Sequence, residues 1–120
     1  MNFKDITNKI DSDRMMDSIP ERMRAFEYIK MDAILDIDVT VTDYQLYESK
    51  DTNKYNVNNV KGVHIIVEMD GKTYRTSTHG KRIVSTFEYL EKSGGIKEPI
   101  ATAFIRVPLN NGQSMLEFKY

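Results

Sequence analysis

No cysteine occurs in the 120 residues, which excludes a disulfide framework, a thiolate metal site and a cysteine nucleophile. Only two histidines are present, His64 and His79, at no spacing that suggests a paired metal site. Neither a glycine-rich phosphate loop nor a nucleophile elbow can be found. The N-terminus, Met1-Asn2-Phe3-Lys4-Asp5-Ile6, lacks the apolar run of a signal peptide. No later stretch approaches the roughly 20 apolar residues of a membrane span. A soluble protein of a reducing cytoplasm is expected, with no cofactor and no membrane partner. Repeats, low-complexity tracts and Pro/Ser-rich linkers are also missing, so segments must be told apart by periodicity.

What is present suffices for one core: 40% hydrophobic residues, 10% of all residues aromatic, in a length usual for a single domain. A formal net charge of −1 makes no global case for nucleic acid. The charge is unevenly spread, with six Lys/Arg against ten Asp/Glu over Met1–Tyr47 and seven against three over Gly71–Arg106. Such asymmetry can place a basic face on a neutral protein.

Residues 1–30 are polar and Met-rich. Ile19, Met23 and Phe26 are spaced as on one side of a short helix that Pro20 could begin. They are read as an extension, helical or irregular, packed on a domain of residues 31–120. From Leu35 the chain alternates strictly, with Leu35, Ile37, Val39 and Val41 on one face and Asp36, Asp38, Thr40 and Thr42 on the other, which predicts a half-buried strand. Past Asp43 the apolar positions move to Tyr44 and Leu46, and a bulge would reverse parity in this way. Glu48 to Lys61 has no period and is expected to be an exposed loop.

Val63, Ile65, Val67 and Met69 alternate up to Asp70-Gly71, a two-residue hairpin signal because both positions need positive φ. The implied register pairs Glu68 with Thr73, Ile66 with Arg75 and His64 with Ser77. It turns Val63, Ile65, Val67, Tyr74 and Thr76 to the core and His64, Ile66, Thr73, Arg75 and Ser77 to water. Ile83, Val84, Phe87 and Leu90 then fall on one helical stripe, with Ser77 or Thr78 as cap and Gly94-Gly95 as stop, which predicts a helix over about Lys81 to Lys92. Ala101, Ala103, Ile105, Val107 and Leu109 alternate to a turn at Asn111-Gly112, followed by Leu116, Phe118 and Tyr120. A two-residue turn there would pair Ile105 with Phe118, Val107 with Leu116, Arg106 with Glu117 and Phe104 with Lys119.

Strand, loop, hairpin, helix, hairpin is the order of a mainly β, five-stranded OB barrel, β-β-β-α-β-β, with an N-terminal extension. Catalytic residues are not expected. Asp36 and Asp38 read as solvent-side strand positions, and Glu88 and Glu91 as the wet side of the helix. OB barrels bind oligomers on the face of their second and third strands, flanked by loops. Here that face would offer His64, Ile66, Thr73, Arg75 and Ser77. The flanking loop adds Lys50, Lys54, Tyr55 and Lys61, with Tyr44 and Tyr47 just before it, and Lys72, Lys81, Arg82 and Arg106 could extend a cationic track. Single strands are held by such cations along the phosphates and by flat side chains under the bases.

The run Asp38-Val39-Thr40-Val41-Thr42-Asp43-Tyr44 and its charged loop resemble the first strand of the small single-stranded DNA-binding proteins of phages that infect Gram-positive bacteria. The run Gly71-Lys72-Thr73-Tyr74-Arg75-Thr76-Ser77-Thr78, leading into a helix with Ile83 and Leu90, is similar to their third strand and helix, and the hairpin ending Leu116-Glu117-Phe118 is similar to theirs. The likeness spans residues 35 to 120. It implies non-catalytic, sequence-tolerant binding of single-stranded DNA, with RNA as the alternative, in phage DNA replication, recombination or repair in the host cytoplasm, often by a homo-oligomer. The last residues, Lys119-Tyr120, depart from the acidic tip with which bacterial relatives recruit partners, and the resemblance does not extend to the N-terminal extension. The rival expectation is a phage or mobile-element protein that binds a host or phage replication or recombination protein through the same face.

Overall fold

A computed structural model describes the backbone of residues 18–52 and 57–120, and the side chains of 18–48 and 60–120. In chain order the elements are helix α1 (Glu21–Arg24), β1 (Glu27–Tyr28), a 3-10 turn (Met31–Ile34), β2 (Val39–Thr52), β3 (Val57–Met69), β4 (Lys72–Thr78), helix α2 (Lys81–Lys92), β5 (Ile100–Thr102), β6 (Phe104–Pro108) and β7 (Ser114–Phe118). The chain is mainly β. Five strands form one sheet in the order β1-β4-β3-β2-β5, and β6 and β7 form a second sheet. Pairing is antiparallel except between β1 and β4.

Alternation puts Val39 and Val41 into the core, and a bulge between Val41 and Asp43 turns Tyr44 inward as well. The strand begins at Val39 rather than Leu35, because Asp36 takes a positive φ of 60° and stops the extended run, leaving Ile37 exposed. Beyond Leu46 the expected loop is instead a ladder that continues from Glu48↔Lys61 to Thr52↔Val57. Backbone pairing by itself needs no apolar period, so this ribbon left no hydrophobic trace in the sequence.

Asp70 and Gly71 have φ of 51° and 75°, and the β3–β4 register is the expected one, Glu68↔Thr73 through His64↔Ser77. α2 has the expected bounds and buries Ile83, Val84 and Phe87. Its start differs: Gly80 is the N-cap residue, and Thr78 acts one step earlier, its Oγ1 accepting from the Gly80 N–H at 3.0 Å. Its end is a Schellman motif, with Gly95 N–H donating to Leu90 O and Gly94 N–H to Glu91 O while both glycines hold positive φ.

The last hairpin is one residue out of the expected register. Its pairs are Phe104↔Phe118, Ile105↔Glu117 and Arg106↔Leu116. The cause is a three-residue loop, Asn110-Asn111-Gly112, closed by Leu109 N–H to Gln113 O at 2.7 Å, with Gly112 at a φ of 82°. Phe104 therefore lies wholly inside, its ring 5.2 Å from that of Phe118, rather than facing water. Arg106 pairs with Asp32, and Glu117 with Arg82.

One core cluster joins β2, β3, α2, β6, β7 and the 3-10 turn. The two sheets are tied by Asp36 N–H to Phe104 O, Lys119 N–H to Ala103 O, and the Thr102 hydroxyl to Tyr120 O. The expected closed barrel is not formed among the described residues. No ladder joins β7 to β4, and β1 lies along the outer edge of β4.

Candidate nucleic-acid interface

The face of β3 and β4 that turns away from the core carries His64 and Ile66 from β3, and Thr73, Arg75 and Ser77 from β4. Gln45 and Tyr47 of β2 join it, being paired with His64 and Gly62. It is not open to water throughout, as expected from alternation alone. A strap, residues 18–26, crosses it. Ile19, Met23 and Phe26 pack on Ile66, which is 2% exposed, and Ser18 Oγ lies 3.0 Å from Nε2 of His64, which is 4% exposed. An isoleucine on a wet sheet face needs an apolar cover, and the spacing of Ile19 and Met23 supplies one. Arg22 carries the strap across to β2, donating from Nε to Asp43 at 2.8 Å and from Nη2 to the Tyr44 carbonyl at 3.1 Å. The chain then enters the sheet as β1.

Beyond the strap the face presents a stack. The Tyr47 ring lies over His64, and His79 meets Tyr47 edge-on at 5.7 Å, its Nε2 3.3 Å from the Tyr47 hydroxyl. Gly62 lets the Tyr47 ring lie close, since a Cβ there would stand 2.4 Å from Tyr47 Cζ and the ring would have to shift. Nearby the Arg75 guanidinium sits 5.2 Å above the ring centre of Tyr28, an arrangement stabilised by cation–π attraction. Tyr28 is 48% exposed and His79 is exposed, so flat groups are within reach of solvent.

Burial pushes the His64 imidazole down to about 4, with the charges of Arg75 and His79 adding to it. Burial also raises the Tyr47 phenol, helped by Tyr28. His64 Nδ1, beneath the strap, and Arg75 Nε, beside Tyr28, have no hydrogen-bond partner among the described residues. Each such orphan costs on the order of 1–3 kcal/mol.

The other candidate residues are scattered. Tyr44 belongs to the core, with its ring 4.9 Å from Phe87 and its hydroxyl donating to Glu91, and burial with that carboxylate raises it to about 12. Lys61 leans to Glu88 at 3.8 Å, and Lys72 binds Glu27 at 2.7 Å. Arg82 and Arg106 are held by Glu117 and Asp32, away from the stack. Lys81 is exposed, and no partner of its side chain is found among the described residues. It shares a groove with Val60, Lys61, His79 and Val84. Thr73 and Ser77 are half-buried. The backbone of Lys50 pairs with Asn59, while its side chain, Lys54 and Tyr55 lie outside the described residues. Exposed ion pairs are worth at most about 1 kcal/mol, so phosphates can compete for these cations.

Reading the residues one by one missed Tyr28, Ser18 and Arg22, and passed over His79. Extending the β3–β4 register one step beyond Val63↔Thr78 places His79 against Gly62, hence beside Tyr47. Tyr28 left no such signal, because two residues are too few for a period. Among the described residues no group of three or more His, Asp or Glu is placed to hold a metal, and no helix is long and apolar enough to cross a membrane. Comparison with family models, curated proteins and solved structures finds no match to this chain.

Proposed function

We propose that this chain is a non-catalytic single-stranded DNA-binding protein built as an open OB-type barrel. The element order and the pairing of β2 with both β3 and β5 support that architecture. The observation that carries the function is the aromatic stack of Tyr47, His64 and His79, adjoined by the Arg75–Tyr28 pair, on the face of β2, β3 and β4. Flat rings with cations between them suit bases and phosphates of a strand with little sequence preference. Tyr28 and Tyr47 stack with bases in this reading, and Lys61, Lys72, Lys81 and Arg75 meet phosphates. Phage DNA replication, recombination or repair, by a homo-oligomer, is the setting that goes with it.

Fluorescence anisotropy of labelled oligo-dT at two salt concentrations is the test. Three or four phosphate contacts give a slope of about −2 to −3 in log K against log salt. No binding at micromolar protein and low salt removes the proposal. The rival, a protein partner on the same face, is favoured by the ion pairs that already occupy Lys61 and Lys72. It would show as salt-insensitive binding to a replication protein and none to oligo-dT.

A further inference from the structure

Much of the proposed strand face lies under the chain's own residues. Ile19, Met23 and Phe26 cover Ile66 in a small cluster separate from the main core, and Ser18 covers His64. Among the described residues, the elements that carry this cover are short. α1 is a single turn with no side chain capping its first amides, and β1 adds two residues of pairing. The link to β2 is Arg22, ion-paired with Asp43 through side chains that are 52% and 39% exposed and donating to the Tyr44 carbonyl at 3.1 Å. Elements this short do not hold themselves. The docked strap also leaves His64 Nδ1 without a partner among the described residues, although His64 is inside. A single strand carries what this nitrogen lacks, phosphate and base oxygens that accept hydrogen bonds, and also ring faces that can replace Ile19 and Met23 over Ile66.

We infer that residues 18–24 are a displaceable strap, and that Ile66 and His64 beneath it form a covered segment of the single-strand site. The inference rests on the strand-binding reading. Strap and strand compete for one surface. The closed protein engages a strand at Tyr28 and Tyr47 and gains the remaining contacts on opening, so affinity is set partly by the open population.

Two variants open the strap without touching the main core. Met23→Ser empties the small cluster at no change in charge. Arg22→Glu sets like charges against Asp43, and the swap Arg22→Glu with Asp43→Arg restores the pair. Hydrogen exchange at the amides of Met23 and Ile29, bonded to Pro20 O and Arg75 O, reports opening, while anisotropy with labelled oligo-dT reports affinity. Both opening variants should exchange faster and bind about 3- to 10-fold tighter, and the swap should return both readouts to wild-type values. Faster exchange in Met23→Ser with unchanged or weaker binding overturns the inference and leaves the site reading standing. Absence of oligo-dT binding by wild type and both variants overturns the site reading, and the strap inference with it.

Discussion

The Tyr47 ring lies on the His64 imidazole with centroids 4.3 Å apart and planes 17° from parallel. His64 is fixed from below by burial and from the side by Ser18, so it acts as a rigid backing for Tyr47. A backed ring loses less freedom when a base lands beside it than a free one would.

Replacing that ring should be felt directly in binding. Tyr47→Ala is expected to weaken oligo-dT affinity about 5- to 150-fold, the range of about 1–3 kcal/mol for one stacked base, whereas Tyr47→Phe keeps most of it. Anisotropy titrations at fixed salt measure both. Equal losses in the two variants would shift the weight from the ring to the hydroxyl and its contact with His79.

Gly62 gives a way to move Tyr47 without replacing it. Gly62→Ala would put a methyl group 2.4 Å from Tyr47 Cζ and 2.9 Å from His79 Nδ1, so the rings must swing away. Near-ultraviolet circular dichroism should register the change and oligo-dT binding should fall, while the melting transition stays cooperative. Unchanged spectra and affinity would mean that the stack tolerates displacement.

Acid should weaken the fold through His64. Its folded pKa is near 4, below the usual imidazole value near 6.5, so the unfolded chain takes the proton first as pH falls. Stability from this group is complete above about pH 6.5 and declines between there and pH 4, by about 2–3 kcal/mol. Urea titrations at pH 7, 5.5 and 4.5 measure the decline, and His64→Gln should flatten it. A slope identical in the variant would assign the acid sensitivity to other groups.

The shifted register of the last hairpin makes a prediction about charge coupling. A double-mutant cycle should find a coupling of up to about 1 kcal/mol between Arg82 and Glu117, and none between Arg106 and Glu117. The reverse result would restore the register expected from a two-residue turn.

Phe104 and Tyr89 test the same region by burial. Phe104→Ala should cost about 3–5 kcal/mol in chemical denaturation because the ring is wholly enclosed. Tyr89, 75% exposed on α2, should change stability by less than about 0.5 kcal/mol when replaced by alanine.

How much was legible in the sequence follows from which forces act locally. Asp70-Gly71 and the α2 stripe were readable because a left-handed turn and a helical face each constrain a few adjacent residues. The bulge before Tyr44 was readable because it reverses parity. Asn111-Gly112 misled because the same dipeptide fits a two-residue and a three-residue loop, and the choice depends on packing Phe104 against Phe118. Ile66 and His64 were placed in the correct register but wrongly left open to water. The strap that covers Ile66 is held by tertiary contacts between positions some 45 residues apart, such as Ser18 with His64, and local periodicity has no access to those.

β1 has a consequence for how this protein behaves at high concentration. Glu27 and Tyr28 lie beside Tyr74 and Arg75, and Ile29 N–H donates to Arg75 O, so backbone groups on the outer edge of β4 are already spoken for. A bare strand edge is a template for any other chain that can extend along it. Two residues of pairing thus cover the middle of that edge, and strap movement that carried β1 off with it would bare a longer edge for another chain to extend along.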